Sequence, residues 1–553
     1  MKALQTSMAT LGAAVTTVIA STAGFAQTCE PETFQALGID TLSLISVEPV
    51  AATDEIPVDH CRVLADLDQR TGIDGVEYAV GFELRLPEGW NGRFVHQFNG
   101  GNDGRIVPAV GNLLGGSDRD TALSRNYAVV SSNAGHRIDA TPEAGVSASA
   151  TFGLDPEARQ DYGYGAVAKL HPVALQMVEG YYGSASEYVY GVGSSNGGRH
   201  ALVAAARMPD AFDGLLAGYP GLNLPRAAIQ HAWDVQAFLS LSSSLPEALS
   251  EADLKVVADA VTAACDGLDG LEDGIIADVD ACQASFDIGT VACESGSSNA
   301  CLPAEKVEVL RKIHQGPVTS DGEAVYSSWP WDAGIAAPGW RAWKLEGSNE
   351  ADRFMPRIVV LGGPSLGYVF STPPVEVGAT ADDVLAFLRG FDIDQGAEAI
   401  FATAEGFDEA AMTFMTPPDV DDPDLRAFQE AGGRLMMFHG LSDPVFSETD
   451  TATWYSALDN NHGGEASAFS RYYRVPGMVH GRGGPATDHF DMFSALVAWV
   501  EEGEEPAEIV ATAPAGNPLT GEHGEMTRPL CPYPVVARYK DGDPQHHGSF
   551  TCD

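Results

Sequence analysis

Between Tyr78 and Leu86 the chain alternates, with Phe82, Leu84 and Leu86 on one face, which predicts a strand with a buried side. Pro87 to Gly92 turns the chain, and Phe94 to Phe98 predicts a second strand paired with the first. Tyr127 to Ser131 predicts another buried strand, closing in Asn133-Ala-Gly-His136. The period then changes: Val167, Leu170, Ala174, Met177 and Tyr181 recur at helical spacing. The β-prone run from Tyr188 to Gly193 is followed at once by an Ala-rich helix-former run that Pro209 stops, and Gly214 to Gly218 predicts the next strand. Strands alternating with helices in this way indicate the α/β class, a mostly parallel sheet with flanking helices. After Gly221 the alternation ceases. Residues 222–425 hold helix-like pieces, prolines, four cysteines and acidic loops, which predict an inserted lid domain. The sheet pattern returns at Arg434 to His439 and at Ser470 to Val475, and a last amphipathic helix, with Phe493, Leu496, Val497 and Val500 inward, stops at Gly503. The core is thus expected from residues 27–221 and 426–553, and no internal repeat is found.

Length and composition sharpen this outline. A chain of 553 residues, 44% apolar and 20% charged, is of ordinary globular make-up and long enough for more than one structural unit. The charge is unusual: 31 basic against 77 acidic residues leave a formal −46. Such a field repels nucleic acid and anionic membrane surfaces, and is read as a solubility and salt-adaptation feature. Residues 1–26 combine Lys2, an apolar run from Met8 to Ala20 and small residues at Gly24 and Ala26, the form of a cleaved signal peptide. The mature chain is expected to be secreted or periplasmic, with no membrane insertion after cleavage. An even set of eight cysteines beyond the cleavage site suits disulfides. Neighbours in sequence suggest Cys265 with Cys282, Cys293 with Cys301 and Cys531 with Cys552, leaving Cys29 with Cys61, although sequence alone leaves the connectivity open.

The chemistry centres on Gly193-Ser194-Ser195-Asn196-Gly197, a G-x-S-x-G segment between a predicted strand and a predicted helix. That context is a nucleophile elbow, in which Ser195 sits in a sharp turn with its Oγ exposed above the sheet. A serine nucleophile needs a base within hydrogen-bond reach and a carboxylate to orient that base. Asp443 follows the strand ending at His439, and His480 follows the strand ending at Val475, the order and places this fold requires. His439, His489 and Asp450 are rivals in less suitable positions. The glycine pair Gly100-Gly101, after an early strand, is where one oxyanion-hole N–H is expected, from Gly100, with the other from Asn196.

Gly-x-Ser-x-Gly-Gly-Arg (193–199), His-Gly-x-x-Asp-Pro (439–444) and Val-Pro-Gly-Met-x-His-x-x-Gly-Gly-Pro (475–485) together resemble the tannase and feruloyl esterase family, which includes mono(hydroxyethyl) terephthalate hydrolases. The resemblance runs from about Cys61 to Pro506 and includes Trp90-Asn-Gly-Arg-Phe94 and Tyr127-Ala-Val-Val130. It implies an α/β-hydrolase core with a lid between two core strands, and hydrolysis of esters of aromatic carboxylic acids. One departure stands out. The family usually joins a cysteine before the nucleophile to one after the histidine, and here those positions are Ser194 and Gly481. The histidine loop is then expected to be held less tightly.

Within Cys265 to Ile275, three carboxylates spaced three and four apart with glycines between them can curl hard oxygens together, the chemistry calcium prefers, although the spacing is not that of an EF-hand. The resemblance implies a structural calcium loop in the lid, with the side chains of Asp266, Asp269 and Asp273 and the carbonyls of Leu271 and Ile275 as ligands. No organic cofactor is implied. Trp340, Phe391 and Arg389 are lid candidates for contact with a small aromatic ester, each more simply read as a core or surface residue. The expectation is an exported serine carboxylesterase acting through an acyl-enzyme. The alternatives are a mono(hydroxyethyl) terephthalate hydrolase-like esterase, another hydrolase chemistry such as a lipase or peptidase, and a non-catalytic ligand-binding protein on the same fold.

Overall fold

The computed structural model describes residues 28–115, 119–294, 300–348, 354–521 and 524–553. The expected signal peptide, residues 1–26, lies outside them. A nine-stranded sheet forms the centre, from β1 (Leu42–Val50), β2 (His60–Thr71), β3 (Glu77–Pro87), β4 (Arg93–Phe98), β5 (Ala128–Ser132), β6 (Tyr188–Ser194), β7 (Gly214–Gly218), β8 (Arg434–Gly440) and β9 (Ser470–Val475). Their spatial order is β1-β2-β3-β5-β4-β6-β7-β8-β9. The pairings from β1 to β5 are antiparallel, and those from β5 through β4 to β9 are parallel.

The expected pairing of β3 with β4 is corrected: β5 lies between them, antiparallel to β3 and parallel to β4. The reason lies in β5 itself. Ala128, Val129 and Val130 are all buried, as in a strand covered on both faces inside a sheet, and the chain from Pro87 to Gly92 steps across it. The antiparallel strands β1 and β2, which the periodicity did not single out, extend the sheet at its outer edge.

The helix Ala166–Tyr182 buries Val167, Leu170, Ala174, Met177 and Tyr181, the positions its period marks. The helix Met492–Glu502 ends in a left-handed Gly503 and buries Phe493, Leu496 and Trp499; Val497 and Val500 are only half-buried. Between β7 and β8 the described residues contribute no strand to the sheet, and this stretch is a set of helices beginning with Leu224–Leu239. Four disulfides join Cys29 to Cys61, Cys265 to Cys282, Cys293 to Cys301 and Cys531 to Cys552. Among the described residues no helix is long and apolar enough to cross a membrane.

Candidate active site

Because β4, β6, β8 and β9 run parallel, the loops that follow them open on one end of the sheet, where ligands of such sheets gather. At the end of β6, Ser195 adopts φ 62° and ψ −124°, a strained conformation for a residue with a side chain, and the helix Asn196–Arg207 begins immediately. The flanking glycines are required by space. A Cβ on Gly193 would lie 2.5 Å from the Gly197 carbonyl oxygen, and one on Gly197 2.4 Å from that of Phe98.

His480, from the loop after β9, brings Nε2 to 2.9 Å from Ser195 Oγ. Its Nδ1 lies 2.7 Å from Asp443 Oδ2, in the loop after β8. The other carboxylate oxygen accepts the N–H groups of Val445 (2.7 Å) and Phe446 (3.1 Å), so Asp443 cannot turn away from the imidazole without losing both. The indole N–H of Trp329, from the stretch between β7 and β8, donates to the Asp443 carbonyl at 3.0 Å. Burial by itself would push the Asp443 carboxyl up; the charge of His480, the approach of His439 and the hydrogen bond from His480 outweigh it and hold the group well below the usual carboxylate range.

The rivals take other places. His439, fully buried, sets Nε2 3.3 Å from Asp443 Oδ2 and Nδ1 on Thr451, so it braces the carboxylate from the far side. Asp450 is held by Asn223, and His489 faces Asp488. The imidazole of His480 is enclosed edge to face by Tyr219, Trp343 and Phe446, with ring centres 4.9, 4.9 and 5.5 Å away. Ser194 and Gly481 line a common cavity of about 480 Å³ together with Tyr219. At this junction aromatic packing, not a covalent bond, flanks the base.

The loop after β4 approaches the elbow closely: a Cβ on Gly100 would lie 3.4 Å from the Ser194 carbonyl oxygen and 3.7 Å from Ser195 Cβ. Gly101 and Asn196 line the cleft in front of Ser195. A buried network clamps this loop to the elbow helix. Asn196 Nδ2 donates to Asp103 Oδ2 at 2.8 Å, Arg199 Nε donates to Asn196 Oδ1 at 2.7 Å, and the Tyr162 hydroxyl donates to the Gly101 carbonyl at 3.2 Å. Burial pushes the Asp103 carboxyl well above its ordinary range. Asp103 thus ties the loop that carries Gly100 to Asn196. Replacing Asp103 with Ala is expected to lower kcat for a simple ester by about 10²-fold with little change in KM, the scale of losing one oxyanion donor; steady-state kinetics checks it.

In front of Ser195 lies a narrow cleft of about 50 Å³ with walls from Leu224, Ala228, His231, Trp343, Phe370 and Phe446. The candidates Trp340, Phe391 and Arg389 are not among its lining residues: Trp340 is in the core, Phe391 packs on Phe387 and Arg389 is exposed. Trp343, three residues beyond Trp340, lines the cleft instead. Sequence reasoning did not single out Trp343, His231, Asp103 or Tyr219, and their only signal was residue type.

The acidic loop closed by Cys265–Cys282 spends most of its carboxylates locally. Asp266 Oδ1 accepts the N–H groups of Asp273 (3.0 Å) and Gly274 (2.9 Å), Asp269 Oδ1 that of Leu271 (3.0 Å), and Asp273 Oδ2 faces the Arg528 guanidinium. Among the described residues no three His, Cys, Asp or Glu side chains converge to form a metal site. The donor type nonetheless suits a hard cation, and the carbonyls of Leu271 and Ile275 accept no hydrogen bond among the described residues. Burial, together with the charges of Asp273 and Asp266, pushes the Asp269 carboxyl up to about 7, as expected where negative charge is under-compensated.

Residues 61–553 match the family model described as tannase and feruloyl esterase. The chain is 37% identical over 529 residues to the mono(2-hydroxyethyl) terephthalate hydrolase of Piscinibacter sakaiensis, covering 91% of this chain and 86% of that protein. It is 28% identical to a probable feruloyl esterase of Arthroderma benhamiae, covering 94% of this chain and 92% of that protein. The crystal structure of feruloyl esterase B from Aspergillus oryzae superposes with a TM-score of 0.71 at 22% identity, covering 94% of this chain and all of that one (100%), and shares the α/β-hydrolase fold. The chain belongs to the tannase and feruloyl esterase family and is a carboxylic ester hydrolase.

Proposed function

We propose that this enzyme hydrolyses esters of aromatic and phenolic carboxylic acids through an acyl-enzyme on Ser195. The observation that carries the reading is the hydrogen-bonded chain from Ser195 through His480 to Asp443, which faces a cleft with aromatic walls at Trp343, Phe370 and Phe446. Ser195 Oγ attacks the ester carbonyl while His480 Nε2 takes its proton. Asp443 keeps the remaining imidazole proton on Nδ1 and balances the charge that forms. The N–H groups of Gly100 and Asn196 receive the oxyanion. His480 then returns the proton to the leaving alcohol, and water activated by the same base releases the acid. Hydrolysis of methyl ferulate, methyl gallate and the terephthalate monoester by the mature chain tests this. Failure to turn over any of them by a folded sample would overturn it.

A second reading, action on mono(hydroxyethyl) terephthalate, is favoured by the 37% identical relative and by Arg357, whose guanidinium lies 5.1 Å from the centre of the Trp343 ring. A cation beside a cleft wall suits an acyl ring with a second, free carboxylate. The three-ester comparison separates the two readings.

The acidic loop is further proposed to hold a structural calcium ion through Asp266, Asp269 and Asp273 with the Leu271 and Ile275 carbonyls. Calcium is expected to raise Tm, by a stabilisation of about 2.7 kcal/mol at a hundredfold excess over Kd. Asp269→Asn should remove that response in a thermal melt, and an unchanged Tm on adding calcium or chelator would count against the site. Export is proposed on the same terms: disulfides persist in oxidising compartments, and N-terminal sequencing of the mature protein should begin at Gln27.

A further inference from the structure

His231, on the helix Leu224–Leu239, lines the cleft in front of Ser195 and is only 4% exposed. Among the described residues neither of its ring nitrogens has a hydrogen-bond partner; the Val445 backbone lies beside it without completing a well-aligned bond. The other polar side chains of the cleft differ. Asn102 and Ser365 bond to each other at 3.0 Å, Asn196 is held by Asp103 and Tyr162 by the Gly101 carbonyl. The room for the imidazole is specific, since a Cβ on Gly362 would lie 2.0 Å from His231 Nδ1. Burying a polar group without a partner is costly, so such groups in native proteins need a reason.

We propose that His231 is a specificity-determining residue of the esterase, hydrogen-bonding a ring hydroxyl of the substrate's acyl group. The inference rests on the aromatic-ester reading above and names the feature of the substrate that the cleft selects. A neutral imidazole offers one donor and one acceptor, and a phenolic hydroxyl matches both. Burial, reinforced by the nearby charges of Lys344 and His480, holds the His231 pKa down to about 3, so the ring is neutral at any working pH and ill suited to a carboxylate. A site built to hydrogen-bond a hydroxyl discriminates against the analogue that lacks it, because its own polar atoms are then left unpaired.

The test compares kcat/KM for methyl 4-hydroxycinnamate and methyl cinnamate in the wild type, His231→Leu and His231→Gln. The wild type is expected to favour the hydroxylated ester at least about tenfold. His231→Leu should erase that preference by slowing only the hydroxylated ester, and His231→Gln, which retains a donor and an acceptor, should restore part of it. Thermal melts identify a variant that does not fold, and the wild-type ratio with His231→Gln then decides. Equal turnover of both esters by the wild type, or equal losses on both in His231→Leu, overturns the role of His231. Turnover of neither ester sinks the aromatic reading beneath it.

Discussion

Replacing Ser195 with Ala is expected to lower kcat on any ester substrate by about six orders of magnitude while leaving Tm within a degree or two of wild type. The size of the loss follows from the way the site is assembled. Ser195 Oγ is the atom that His480 Nε2 faces at 2.9 Å, so its removal takes away the nucleophile and leaves the base with nothing to deprotonate. The residual rate would come from the oxyanion donors and from binding alone. The fold should tolerate the change. The strained φ of 62° belongs to the turn, and Ala occupies less of the cleft than Ser. Single-turnover kinetics with a chromogenic ester, next to a melting curve, reads both quantities. A variant retaining more than about one part in a thousand of the activity would place the nucleophile elsewhere.

The second large effect is expected from Asp443→Asn, a loss of about 10⁴-fold in kcat. Asp443 uses one oxygen for the N–H groups of Val445 and Phe446 and the other for His480 Nδ1. An amide has a single acceptor oxygen. If that oxygen stays with the two backbone donors, the NH₂ group faces His480 and forces a lone pair onto Nδ1. The proton then moves to Nε2, the wrong tautomer for accepting one from Ser195. KM should change far less than kcat. The same carboxylate sets an acid limit. Its folded pKa is depressed, so its contribution to stability is present above the unfolded carboxylate value of about 4 and is lost only as pH falls toward the folded one. Asp443→Asn should therefore flatten the acid side of the stability profile, which Tm measured from pH 7 downward would show.

The residues that make the nucleophile were legible in the chain because local sterics and chain order specify them. Gly193 and Gly197 are demanded by contacts within a few residues of Ser195 or with the strand it pairs beside, and the acid and base follow their strands in the order the fold imposes. The disulfides fell to neighbours in sequence for a similar reason, since short loops bring such pairs together first. Helical period likewise marked the buried face of Ala166–Tyr182.

What sequence could not decide was which distant element each side chain would meet. Periodicity states that a residue is buried but not against what, so β5 came between β3 and β4, and Trp499 took the burial expected of Val497 and Val500. The hydrogen bond of Trp329 to the Asp443 carbonyl, that of Asp103 to Asn196 and the place of His231 beside Ser195, unpaired among the described residues, each depend on the packing of neighbouring elements. Sequence by itself determined that Ser195, Asp443 and His480 stand after their strands in the order expected of a nucleophile, an acid and a base on an α/β framework. Tertiary structure alone decided what surrounds them, because hydrogen bonding and packing between residues on separate elements depend on positions in space that no local pattern encodes.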